Sequence, residues 1–384
     1  MTRNLVAAIL LLVAGAQTTR AADAAAPWVL GYWVGYQADL MPVGEIPWSA
    51  LTHIAVGPIV PRGNGSLDAS MSIDQGQAAT YATQIAADAI AHGVTPILMI
   101  GGGGVERQFF KAASRHRAKL VRNLLKLGQS LGFQGFDLDY EGDFTKGANQ
   151  RMFQRLIDAL RRASPGAVLT FPAITVTTTF PQESAVAFYA GIASRLDHLF
   201  LQTYGMSGPY EGWVSWHSSP LHGEDSADLC SSQPCKPTSV DFNVNRFLAA
   251  GVPAAKLGVG VGFYGTCWNG PTGPGQSVAG ASVPASDNEM SYTNVASSYR
   301  PLMTEMYDAA AEAAYLSAAT PTGPQGCTFV SYEDSQSIIE KGAYVKAKGL
   351  GGTIVWTINQ GYRANAPVGQ KDPLMQALKQ GFLQ

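Results

Sequence analysis

Asp137, Asp139 and Glu141 occupy alternate positions in Gly135-Phe136-Asp137-Leu138-Asp139-Tyr140-Glu141. In a β-strand, side chains two residues apart share a face. The three carboxylates therefore point one way, and Phe136, Leu138 and Tyr140 the other. Neighbours on that face stand about 7 Å apart. Ionising all three is costly, so at least one is expected to hold a proton near neutral pH. A carboxyl group with a raised pKa makes a general acid. Taken alone, the pattern also suits the polar face of an exposed edge strand, or a metal cluster. Carboxylates turned into a barrel are a different matter, because burying them without a role is expensive.

The surrounding elements favour the barrel. Eight short apolar runs read as buried strands: 28–33, 51–56, 95–100, 135–141, 167–173, 198–204, 257–264 and 352–358. Amphipathic stretches at helical spacing lie between most of them, at 117–131, 149–163, 240–250 and 335–348. Gly93, Gly132, Pro165, Gly251 and Gly349 supply helix stops. Eight such units predict an α/β fold, a TIM (β/α)8 barrel. A doubly wound open sheet is the alternative, and it would place a glycine-rich phosphate turn after the first strand. Here Gly101 to Gly104 follow the third, with no Lys-Ser/Thr behind them. Glu141 would then lie nearest the C-terminal strand end, where barrel active sites open. Residues 266–328, rich in Gly, Pro, Ser and Ala, are too long for an ordinary connection. They predict a small insertion between the seventh and eighth barrel strands, with some hairpin character near 314–330.

The segment Gly135 to Glu141 resembles the fourth-strand signature of glycoside hydrolase family 18, the chitinase family. Met99-Ile100-Gly101-Gly102 is similar to that family's third-strand motif, and Gln202-Thr203-Tyr204 to its sixth. Gly262-Phe263-Tyr264-Gly265 resembles the seventh, and Phe329 to Asp334 with Gly349 to Trp356 resembles the approach to the eighth. The resemblance implies retaining hydrolysis of β-linked N-acetylglucosamine polymers such as chitin, assisted by the substrate's own acetamide. It implies that Glu141 is the acid/base and that Asp139 orients the acetamide. Asp137 would share a proton with Asp139, and Tyr204 would donate to the acetamide oxygen. Trp356 would floor the −1 sugar, with Gln202, Tyr32, Gly101, Gly102 and Tyr264 as further substrate-binding residues. The chain departs from the family's pattern at Gln134, Met99, Gly103, Pro58 and Gly205. An N-acetylglucosaminidase acting on peptidoglycan or N-glycan cores is the other enzymatic reading, and a non-catalytic chitinase-like lectin the non-enzymatic one.

Composition agrees with a neutral polymer as partner. The 384 residues are 46% hydrophobic and only 14% charged, with a net charge of −2 and no basic stripe. Nucleic acid is therefore not expected as a partner. No cofactor, metal or membrane is expected either, and the chain is expected to act as a monomer. Arg3, the apolar run from Leu5 to Ala16 and the small-x-small sites ending at Ala21 and Ala24 predict a signal peptide over 1–24. The catalytic domain would then be 25–384, in a secreted or periplasmic protein. Four cysteines in an exported chain suggest disulfides, with three possible connectivities. Spacing favours Cys230–Cys235 across a short turn and Cys267–Cys327 bracketing the insertion.

Overall fold

The eight apolar runs form the staves of a closed parallel barrel. In a computed structural model, which describes residues 27–73, 76–177, 182–223 and 238–384, they are β1 Trp28–Val34, β2 His53–Pro61, β4 Thr95–Gly101, β5 Gly135–Asp139, β6 Val168–Ala173, β7 His198–Leu201, β8 Leu257–Gly262 and β14 Gly352–Trp356. Hydrogen bonding runs β1-β14-β8-β7-β6-β5-β4-β2, and parallel pairing of β1 with β2 closes the ring. A two-residue strand, β3 Leu67–Asp68, pairs antiparallel with the end of β2.

Helices cover the outside where amphipathic spacing predicts them. Arg117–Leu131 ends at Gly132 with φ of 84°, a left-handed cap that glycine adopts without strain. Ser335–Lys348 begins with a capping box between Asp334 and Ser337. Gly147–Ala163 and Val240–Ala249 match the other two expected helices to within two residues. Three further helices, Ala78–Ala91, Glu106–Arg115 and Glu183–Ile192, complete more of the alternation.

Strand alternation divides the core into two layers. Leu30, Tyr32, Val34, Ala55, Ile97, Met99, Phe200 and Ile354 fill the barrel interior. Phe136, Leu138 and Tyr140 face outward into the layer between strands and helices, where Tyr140 packs near Phe109, Phe144 and Phe153. Burying each such side chain contributes about 1.5–3 kcal/mol relative to exposing it. The carboxylates at 137 and 139 therefore point inward as a consequence of where their apolar neighbours go.

The insertion expected after β8 is present, and so is a hairpin near 314–330. That hairpin is part of a larger element. Five strands, β9 Tyr264–Asn269, β10 Ser282–Ser291, β11 Thr304–Asp308, β12 Ala313–Thr322 and β13 Cys327–Tyr332, make an antiparallel sheet in the order β10-β9-β13-β12-β11. Small residues disguised it, since a ladder of backbone hydrogen bonds does not require bulky side chains. Cys267 and Cys327 form a disulfide with their Cα atoms 5.3 Å apart. It staples β9 to β13, two strands already paired through Cys267 opposite Val330. Cys230, Cys235 and the expected signal peptide lie outside the described residues. Among the described residues, no helix is long and apolar enough to cross a membrane.

Candidate active site

Strand β5 ends at Asp139, two residues earlier than its alternation suggests. The Tyr140 amide donates to Leu138 O at 2.9 Å, so the backbone turns there and Glu141 sits on the bend at the barrel's C-terminal mouth. Glycine at 101 makes the neighbouring strand end fit. The Gly102 amide donates to Asp139 O at 2.8 Å, and a Cβ on Gly101 would lie 2.1 Å from that oxygen. Gly101 has φ of 111°. Gly101 and Gly102 thus shape the turn beside the carboxylates. On the other side, Gly260 leaves room for the Tyr204 ring, where a Cβ would stand 2.7 Å from Tyr204 Cε1.

A cavity of about 200 Å³, open to solvent, occupies the mouth. Tyr32, Asp139, Glu141, Pro172, Gln202, Tyr204, Asp287 and Trp356 line it. Six of the residues singled out from the sequence come together here: Glu141, Asp139, Tyr204, Trp356, Gln202 and Tyr32. Asp137 lies beneath, fully buried. Tyr264 is placed differently from the substrate-binding role expected of it. It is 8% exposed and presents its ring edge-on to Tyr204 at 6.1 Å, so it backs the tyrosine that lines the pocket.

Burial decides the electrostatics. Asp137 accepts from the Tyr32 hydroxyl at 2.8 Å on Oδ2 and from Thr170 at 2.5 Å on Oδ1. Desolvation nevertheless pushes its pKa up to about 6, with both hydrogen bonds opposing the rise. Asp139 has no donor on its buried Oδ1. Desolvation, then the charges of Glu141 and Asp137, raise its pKa well above the ordinary carboxylate range. Of the trio, Asp139 is the one whose burial and charged neighbours most favour the protonated form.

Glu141 is the exposed member of the three. The pocket walls still exclude enough water to raise its pKa, and the charge of Glu106 adds to the rise. A hydrogen bond with Gln202 opposes it. Glu106 is a perturber that the strand pattern did not indicate, because it enters from the helix behind the glycine turn. Burial keeps the Tyr204 hydroxyl neutral by raising its pKa, which leaves it an O–H donor facing the cavity.

The family model of glycosyl hydrolases family 18 matches residues 29–361. The chain belongs to that family. Chitinase A1 of Niallia circulans is 27% identical over 315 residues, covering 72% of this chain and 43% of that protein. The chain thus spans less than half the length of that relative. A class V chitinase of Arabidopsis thaliana is 24% identical over 85% of this chain and 84% of its own length. A chitinase-like effector of Moniliophthora perniciosa is 24% identical over 91% of this chain and 86% of its own. Among solved structures, a group IV chitinase of Ostrinia furnacalis aligns with a TM-score of 0.75 at 19% identity, over 93% of this chain and all of that one. These structural likenesses establish the shared barrel.

In this family 18 chain two glycines lie close against site side chains. A Cβ on Gly103 would stand 3.1 Å from Glu141 Oε2, and one on Gly205 3.1 Å from the Tyr264 hydroxyl. Gly205, with φ of 63°, follows the site tyrosine. Pro172 and Asp287 are the lining residues that sequence reasoning missed. Asp287 comes from the inserted sheet, where its one sequence signal was an Asp-Asn pair within a Ser- and Ala-rich stretch.

Proposed function

We propose that this chain is a secreted, retaining glycosidase that hydrolyses β-1,4-linked N-acetylglucosamine polymers, chitin above all. The observation that carries the reading is Asp139. Its buried Oδ1 lacks a partner, and it stands between Asp137 and Glu141 in a pocket also lined by Tyr204 and Trp356. An acetamide supplies what this arrangement needs. Its N–H would satisfy Asp139, its oxygen would accept from Tyr204, and the sugar's C–H face would rest on Trp356. Glu141 would give its proton to the glycosidic oxygen as the acetamide oxygen attacks C1 and the C1–O bond breaks. Water would then attack C1 from the vacated side, Glu141 would take its proton, and the acetamide would be released with retained configuration. Family 18 is an exception to the two-carboxylate scheme in this respect.

The names of the relatives support the substrate, as does the GH18 chitinase of Cycas revoluta solved in complex with (GlcNAc)3, which aligns with a TM-score of 0.73 at 23% identity. A lectin would have no need of the acid, and Glu141 is present.

Product analysis on chitin, peptidoglycan and glycoprotein separates these substrates. Soluble oligomers from chitin are expected. Chitosan oligomers with a free amine at the cleavage position should bind but not turn over. Efficient cleavage there would show that another group is the nucleophile.

A further inference from the structure

The near-neutral total charge conceals a basic surface, which corrects the expectation of no basic stripe. Residues 106–126 hold seven Lys and Arg side chains and one acid, Glu106, a net of +6 in a chain whose total is −2. They lie on two consecutive helices, Glu106–Arg115 and Arg117–Leu131, which meet at His116. Phe109, Ala112 and Ala113 bury one face of the first helix, and Leu120, Val121, Leu124 and Gly128 one face of the second. Arg107, Lys111 and Arg115 follow one another at four-residue intervals opposite that buried face, and all three are exposed. Lys119, Arg122 and Lys126 are placed likewise on the second helix. The helix Gly147–Ala163 packs against both and adds the exposed Arg151 and Arg155.

These cations do not hold the fold together. Among the described residues, no ion pair includes a member of either row. The neighbouring acids Asp68, Asp143, Asp158 and Asp197 are paired with Arg62, Lys146, Arg195 and Arg161 instead. Like charges at these spacings destabilise a helix, and no acid is interleaved from 107 to 126 to relieve them. Segregation of one sign of charge onto one surface creates a field that attracts a polyanion.

The form of the rows selects among polyanions. Neighbours in each row stand about 5–6 Å apart, close to the length of one sugar unit. A polymer with one carboxylate per sugar would therefore meet one cation per unit. The guanidinium fork of Arg matches the paired oxygens of a carboxylate. A membrane surface would favour apolar side chains among the cations, and a single-stranded nucleic acid would favour exposed rings. The large apolar side chains exposed among the described residues lie on none of these three helices. The first helix starts just after the glycine turn beside Glu141, so the rows begin near the mouth of the pocket. We propose that the two rows are a docking surface for a linear polyuronate, an acidic polysaccharide distinct from the substrate. The choice of a polysaccharide rests in part on the glycosidase reading of the neighbouring pocket.

The test titrates a fluorescein-labelled oligogalacturonate with the whole protein at low and at higher salt. Wild type should bind, and more weakly as salt rises. Combining Lys119→Gln, Arg122→Gln and Lys126→Gln should raise Kd about tenfold or more. A control combining Lys346→Gln, Arg363→Gln and Lys379→Gln removes the same charge elsewhere and should bind as wild type does. If circular dichroism shows the first variant unfolded, Arg107→Gln with Lys111→Gln on the other helix carries the comparison. Turnover of a fluorogenic chitobioside should be the same in all of them. No binding by wild type, both variants behaving alike, or tighter binding to a DNA duplex or to phosphatidylserine vesicles would overturn the docking proposal. Wild type that binds the oligogalacturonate yet has no turnover would overturn the glycosidase reading and leave the docking surface standing.

Discussion

Both ends of the barrel bury ionisable side chains, and one end opens onto a cavity that they line. At the N-terminal end, Trp28 lies 3.6 Å from the ring of His53 and 3.8 Å from that of His198. Burial lowers the His53 pKa to about 3, with the charge of His198 contributing, and burial lowers that of His198 to about 4. Both rings are neutral parts of an aromatic plug. At the C-terminal end the same desolvation raises Asp137 to about 6 and Asp139 further. The physics is one and the outcome differs because Asp139 faces an open cavity and keeps an unfilled acceptor. His198 also keeps an unpartnered buried Nδ1, so an orphan atom alone does not mark a site. A shifted pKa becomes evidence of function when a cavity gives it something to act on.

The largest expected effect would break the comparison at its centre. Glu141→Gln keeps the shape of the acid and removes its proton. Activity on a fluorogenic chitobioside should fall by about 10²–10⁴, with the melting temperature and oligosaccharide binding preserved. Retention of more than about a tenth of wild-type turnover would show that another group supplies the proton.

The disulfide separates the open end from the closed one in a second way. Closing a loop with a sequence separation of 60 contributes at most about 4 kcal/mol on the chain-entropy model. Replacing both Cys267 and Cys327 by Ser should loosen the sheet that carries Asp287, so KM should rise more than the barrel's melting temperature falls. A lowered melting temperature with KM intact would show that the bridge serves only stability.

Stability against pH should give the two ends opposite signs. His53 has a folded pKa below its unfolded value of about 6.5. Its destabilising contribution is absent above that pH and grows as pH falls toward the folded value near 3. Asp137 has a folded pKa near 6, above its unfolded value, so the stability it contributes is present at low pH and lost as pH rises through 6. His53→Phe keeps the stacking and removes the first term, on the order of 1–2 kcal/mol at pH 5. Its melting temperature should fall less than that of wild type between pH 7.5 and 5. Parallel curves for the two proteins would mean that His53 is not held neutral.

Much of this was legible in the sequence because it is local. Eight continuous apolar runs with glycine stops specify staves, and the alternation at 136–141 dictates which side chains enter the barrel. The site residues on strand ends followed from that period and from the family resemblance. What was hidden depends on distant pairing. The five-stranded sheet is written in Ala, Ser and Thr, whose pattern resembles a loop until the strands meet. Asp287 enters the pocket through a register break that no local period announces. Glu106 reaches Glu141 from a helix, and Tyr264 stands behind Tyr204, because tertiary packing decides which face of a turn looks inward.

The smallest predicted effect concerns Tyr32, which was grouped with the substrate-binding residues and also serves a buried carboxylate. Its hydroxyl donates to Asp137 at 2.8 Å, and that bond holds the Asp137 pKa lower than burial alone would set it. Tyr32→Phe removes one oxygen and leaves the ring that packs at 5.4 Å from Trp356. The loss of one hydrogen bond, about 1 kcal/mol, should lower kcat/KM about fivefold. The sign of the pH effect is fixed by the direction of the bond. Without the donor Asp137 becomes harder to ionise, so the acid limb of kcat/KM, where an ionised Asp137 is required, should move to higher pH. Thr170 still donates to Oδ1, which limits the shift and keeps the fold intact. A profile that drops in height with its acid limb unmoved would assign Tyr32 to contact with the sugar alone. A shifted limb at nearly constant KM would show Tyr32 acting through Asp137, to which its hydroxyl donates.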